Sequence, residues 1–125
     1  MSGLTLDAGA LIAIDRGDRH VANLLRRALL KGESIAVPAN VIGQAWRDGA
    51  RQARLSRLLR SPAVEIEVMD GPRARAVGVL CGATGAADVV DASVVLCART
   101  RGHSVVTSDP QDIRRLDPTL VLERC

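Results

Sequence analysis

Five short β-type runs, each parted from the next by a stretch of helical period, constrain this chain more than any other feature. They are "LTL" (4–6), "SIAV" (34–37), "VEIEV" (64–68), "SVVT" (104–107) and "LVLE" (120–123). Strands separated by helices cannot meet through tight hairpins, so the alternation predicts a parallel α/β sheet. With 125 residues and no repeat, low-complexity stretch or linker, the chain reads as one domain over 1–125.

The intervening segments carry helix signals of different strength. Segment 19–31 places Val21, Leu24, Leu25, Ala28 and Leu29 on one stripe, and Gly32 follows as a stop. Pro38 is suited to the first position of the next helix, and Gly49 divides that helix from another whose Leu55, Leu58 and Leu59 face inward. A further helix is predicted over 72–83, where Ala74, Ala76, Gly78 and Gly82 would allow close packing. Segment 88–101, "DVVDASVVLCARTR", is apolar nearly all round beyond its first turn, as expected of a helix buried against a sheet.

Two acids arise independently at the carboxyl ends of strands, where open parallel sheets bind their ligands. Asp7 follows "LTL" directly, and Asp109 follows "SVVT" after one residue. Asp88 and Asp91 stand at i and i+3 in the first turn of the apolar helix, on one face and at the positive end of its dipole. If the "RTRG" turn returns the chain to the sheet, that helix begins at the same edge. Crowded carboxylates favour either proton uptake or a hard cation, and Mg²⁺ or Mn²⁺ suits an all-oxygen donor set. Such a site implies phosphodiester hydrolysis. Each acid also has a plainer reading: Asp7 and Asp88 as helix caps, Asp109 as part of a Ser-Asp-Pro turn, Asp112 as a first-turn acid. Asp91 is hardest to explain that way, because an acid inside so apolar a helix needs a partner.

Charge and aromatic content narrow the ligand. The net charge is +3, Lys31 is the only lysine, and every other base is arginine, which suits phosphate but also follows from GC-rich coding. Trp46 is the one aromatic, so the base-stacking platforms of common RNA-binding modules cannot be built. Trp46 reads as a core or dimer-interface anchor. Apolar stretches are broken by acids well before a membrane span, no secretory signal is evident at the start, and Cys81, Cys97 and Cys125 follow no metal-binding spacing. These features predict reduced thiols, two of them in the core, in a cytoplasmic protein.

With these residues in place, the chain resembles the PIN-domain ribonucleases, specifically the VapC-type toxins of bacterial toxin–antitoxin pairs. The carrying motifs are "LDAGALIAI", "VPANVIGQAWR", "DVVDASVVLCA" and "VVTSDPQDI", in the family's order over nearly the whole chain. The resemblance implies a PIN-like α/β/α sandwich with a short parallel sheet of about five strands, usually dimeric, cleaving RNA with Mg²⁺ or Mn²⁺. It also implies a small VapB-like antitoxin whose C-terminal segment covers the toxin. Carried across, the family's acids fall on Asp7, Asp91 and Asp109, with Asp88 and Asp112 as auxiliary metal ligands. The remaining family acid is usually a glutamate, and Gln44 stands in its place. Gln44 keeps an oxygen of similar reach without the charge, which by analogy with a lost supporting ligand is expected to lower metal affinity or activity by up to roughly 10–100-fold. Arg47, Arg51 and Arg54 follow i, i+4, i+7 spacing beside the Gln44 helix and read as a solvated face or as contacts to RNA or antitoxin.

Two other function classes remain in view. Gln44 suggests a PIN-like module that binds RNA or antitoxin with weakened catalysis. A phosphoaspartyl receiver or phosphatase built on Asp7 fits poorly: Lys31 ends a helix far from the edge, and position 9 is glycine instead of a second acid.

Overall fold

The computed structural model describes residues 2–125. Five parallel strands, β1 (Gly3–Leu6), β2 (Ser34–Pro38), β3 (Val64–Glu67), β4 (Ser104–Thr107) and β5 (Leu122–Arg124), form one sheet in the order β3-β2-β1-β4-β5. Chain order runs outward from β1 through β2 to β3, then crosses to the other side of β1 for β4 and β5. The winding therefore reverses between β1 and β4, which pair with Leu4 opposite Ser104 and Leu6 opposite Val106. A crevice opens beyond the strand ends at such a reversal.

Helices cover both faces, completing the α/β/α arrangement that the resemblance implies. On one face α1 (Ala8–Asp15), α2 (Arg19–Leu30) and α4 (Ala53–Arg60) pack together; on the other lie α5 (Gly71–Thr84), α6 (Val89–Arg101) and α7 (Pro110–Leu116). The short α3 (Ala39–Ala45) touches both α1 and α6 across the crevice edge. β1 is buried along its whole length, and in α6 Ala92 to Val95, Cys97 and Ala98 are buried, so the central strand and the apolar helix form the middle of the core. All three cysteines are free; Cys97 is fully buried, while Cys81 and Cys125 are half-buried against the core. Among the described residues, no single helix is long and apolar enough to cross a membrane.

Four local expectations are corrected. Pro38 ends β2 and caps α3 with extended backbone (ψ 139°) instead of opening the helix. The α3 helix then stops at Ala45, because Gln52 folds back over its end. Gln52 Nε2 donates to the Ala45 carbonyl at 2.9 Å, and Gln52 Oε1 accepts from the N–H groups of Arg47 and Asp48 at 2.7 and 2.9 Å. Trp46 turns out of the helix and lies over Gly49, where any Cβ would sit 2.5 Å from its Cζ2. Trp46 is 37% exposed, so it is not a core residue. The small residues of α5 do not mediate close packing either: a Cβ on Gly78 or Gly82 would meet nothing within 4 Å, and the helix docks through Val77 and Leu80.

Candidate functional site

Asp7 enters the crevice because β1 ends there and α1 begins. Its backbone is extended (φ −89°, ψ −177°), and its Oδ1 accepts from the Ala10 N–H at 2.9 Å, so the residue caps α1. Burial raises its pKa from the ordinary value, against the pull of the Thr107 hydroxyl and of the N–H groups of Ala10, Ser108 and Gly9. The capping reading and the site reading are thus compatible: the carboxylate that caps α1 also lines the crevice.

The neighbouring strand end meets it closely. A Cβ on Gly9 would overlap the Ser108 side chain, 2.6 Å from its Cβ, and would lie 3.3 Å from Asp7 Oδ1. Glycine at position 9 is what lets the β4–α7 turn approach Asp7. In that turn the Thr107 hydroxyl accepts from the Asp109 N–H at 2.9 Å. Asp109 occupies the capping position of α7 but makes no side-chain cap bond. Its carboxyl is pushed up from the ordinary value, chiefly by a hydrogen bond to the Asp112 carboxyl and by burial.

α6 supplies the third side. Asp88 caps it, its Oδ1 accepting from the N–H groups of Val90 and Asp91, both at 3.0 Å. Asp91 sits in the first turn, half-buried, and its pKa is raised from 3.8 to about 7. Burial is the main cause, followed by the charges of Asp88, Asp112, Asp7 and Asp109. Since those four come from three separate segments, their repulsion of Asp91 places all five carboxyls in one field.

Asp7, Asp88, Asp91, Asp109, Asp112 and Gln44 line one cavity of about 210 Å³. Gln44 lies exposed on its rim. The donor chemistry fits a hard divalent cation: the carboxyls offer oxygen only, and without a counter-charge burial and the neighbouring acids disfavour the charged form of Asp91. Among the described residues no three acids, histidines or cysteines already converge into a closed metal cage. A Mg²⁺ site does not require one, because that ion is ordinarily held by one or two carboxylates and keeps several waters.

Two contributors to the site leave no signal in the sequence. Ser108 forms part of the cavity wall, and the Ser93 hydroxyl donates to Asn40 Oδ1 at 2.8 Å, tying the Gln44 helix to the Asp91 helix. Gly9, which in the sequence counts only as an absent acid, gains a positive role from its contact with Ser108. The arginine stripe, by contrast, does not form. Arg47 lies past the end of α3 and donates to the carbonyls of Gly43 and Trp46, Arg51 pairs with Asp48 at 3.7 Å, and Arg54 lines a different groove and donates to the Asp15 carbonyl. None of the three lines the acidic cavity. Helical spacing cannot carry across a break at Trp46, which explains the difference.

No protein-family profile and no curated protein matches this sequence. Solved structures do match in fold. The chain is similar to one in VapBC2 from Rickettsia felis bound to a DNA fragment from its promoter (TM-score 0.72, 20% identity, covering 100% of this chain and 99% of that one). It is also similar to a chain of FitAB bound to the IR36 DNA fragment (TM-score 0.68, 14% identity, 97% and 94% covered). A third neighbour is FitAcB from Neisseria gonorrhoeae (TM-score 0.65, 18% identity, 95% and 95% covered). At these identities the likeness is one of fold, and the fold is PIN-like.

Proposed function

We propose that this chain is a Mg²⁺- or Mn²⁺-dependent endoribonuclease, the toxin of a type II toxin–antitoxin pair. The observation that carries the reading is the convergence of Asp7, Asp88, Asp91, Asp109 and Asp112 on one small cavity at the switch point of a PIN-like sheet. Asp7, Asp91 and Asp109 would hold the cation, with Asp88 and Asp112 as auxiliary ligands. A divalent cation bound there supplies a water of lowered pKa and neutralises charge on the phosphodiester under attack. The chain's own contribution is positioning. The Ala10 N–H fixes the Asp7 carboxylate and the N–H groups at the start of α6 hold Asp88, so these two acids are oriented before substrate arrives.

The partner reading draws on the neighbours and on a groove. VapBC2, FitAB and FitAcB are toxin–antitoxin complexes. Here an apolar groove of about 640 Å³ runs between α1, α2 and α4, with Leu29 and Leu58 in it and Arg19, Arg26, Arg54 and Arg57 around it. Its chemistry suits an amphipathic segment of an antitoxin with acidic residues at its edges. Homodimerisation and a cytoplasmic setting belong to the same reading, and light scattering of the purified protein tests the first.

The direct experiment is cleavage of structured RNA by purified protein with Mg²⁺ or Mn²⁺. Asp7→Asn and Asp91→Asn should each abolish it; cutting by both variants at the parent's rate sinks the assignment. Gln44 supports a second reading, a binding module with weakened catalysis, since its neutral side chain stands on the rim where the family has an acid. Gln44→Glu separates the two. A gain of roughly 10-fold or more in Mg²⁺ affinity and cleavage marks a degenerate site, and no gain shows that glutamine serves.

A further inference from the structure

A second polar cavity, about 470 Å³, opens directly beside the acidic one and shares Ser108 and Asp109 with it. Its other polar walls are Gln111, Arg114 and Arg124. α7 divides the two spaces: Asp112 faces the acidic cavity, while Gln111 and Arg114, one turn apart, face the second. Arg124 reaches it from β5, where it pairs in register with Thr107 of β4. Neighbouring strands lie about 4.8 Å apart, so Arg124 begins one strand spacing from the residue that orients the acids. Among the described residues, neither guanidinium forms an ion pair with an acid. Both side chains are exposed.

We propose that Arg114 and Arg124 are substrate-positioning residues that hold an RNA backbone phosphate adjacent to the one at the acidic cavity. The inference rests on the ribonuclease reading and gives it a strand direction across the sheet edge, toward β5. A polyanion approaching five carboxyls meets repulsion that one divalent cation offsets only in part. Two unpaired guanidinium groups beside that field supply the missing charge, and each offers a planar donor fork that matches phosphate oxygens. The helix-period arginines at 47, 51 and 54 cannot do this, since none borders either cavity.

The test uses the full chain carrying Asp91→Asn, in Mg²⁺, with a short labelled single-stranded RNA, and follows binding by fluorescence anisotropy over a salt series. Arg114→Gln and Arg124→Gln should each reduce the magnitude of the slope of log affinity against log salt by about 0.7, and together by about 1.4. Arg114→Lys and Arg124→Lys should keep the slope, Arg60→Gln on α4 should leave it unchanged, and thermal melts of all variants should match. In the parent, Arg114→Gln should raise KM more than it lowers kcat. Slopes equal to the Asp91→Asn reference in both glutamine variants overturn the inference while leaving the ribonuclease reading intact. So does a loss confined to binding of an oligoglutamate peptide, which would assign the pair to a protein partner. If the parent neither binds nor cuts RNA, the ribonuclease reading falls and this inference falls with it.

Discussion

Replacing Asp91 by asparagine should stabilise the metal-free protein by an amount that grows as pH rises from about 4 and levels off above about 7. The carboxyl titrates at about 7 in the fold against 3.8 in its ordinary state. Below that window it is protonated in both folded and unfolded chains. Within it, the folded protein retains a proton that the unfolded chain releases, so stability falls as pH rises, and above about 7 the whole deficit is present. Three units at 1.36 kcal/mol each set a ceiling of about 4 kcal/mol. Because the side chain is half open to water, screening reduces this to about 2 kcal/mol. The asparagine amide mimics the neutral acid, so the variant should gain about 2 kcal/mol at pH 8 and almost nothing at pH 4, roughly 8 °C in Tm for a chain of this size. Urea unfolding followed by circular dichroism in EDTA, across that pH range, measures it. Adding Mg²⁺ should then raise the parent's stability more than the variant's. A gain that is flat with pH, or an asparagine variant less stable than the parent at pH 8, refutes the account of Asp91 as a carboxyl held up chiefly by burial and then by its acidic neighbours.

Three further outcomes follow from particular contacts. Gly9→Ala should cost about 1–3 kcal/mol in urea unfolding, because the added methyl overlaps Ser108 and forces the β4–α7 turn away from Asp7. Asp7→Asn preserves an acceptor for the Ala10 N–H whereas Asp7→Ala does not, so the alanine variant should be about 1 kcal/mol less stable than the asparagine variant. Glu67, buried between Arg73 (3.2 Å) and Arg101, should cost about 3 kcal/mol when changed to leucine, since two guanidinium groups lose their shared partner; equal melting temperatures would show that they re-pair in solvent.

The acids at strand ends are legible in the sequence because local rules govern them. A strand followed at once by a helix puts its junction residue at the sheet's carboxyl edge, which locates Asp7 and Asp109, and an acid in an apolar first turn marks Asp91. What local rules cannot supply is strand order. β5 is visible as an apolar run, yet only its pairing with β4 shows Arg124 beside Thr107. The end of α3 is hidden for a related reason: Gln52, seven residues beyond Ala45, caps it through its side chain, a bond made only once the loop has closed. Gly9 shows a third kind of blindness. Its role lies in the space that Ser108 occupies, and an absent side chain leaves no mark in hydrophobic period.

The reversal of winding between β1 and β4 also bears on when the protein becomes able to act during its own synthesis. The ribosome releases β1 first, but its neighbour on the side away from β2 arrives only with Ser104 to Thr107, and Asp109 comes after that. Until then β1 has a single partner, β2, and the crevice lacks one wall. Contacts between segments so distant in the chain form late in folding. A nascent chain bearing Asp7, Asp88 and Asp91 therefore has three of the five acids and an incomplete cavity until Asp109 and Asp112 have been made. On the ribonuclease reading proposed above, this ordering would keep the growing chain inactive until its last two acids are in place.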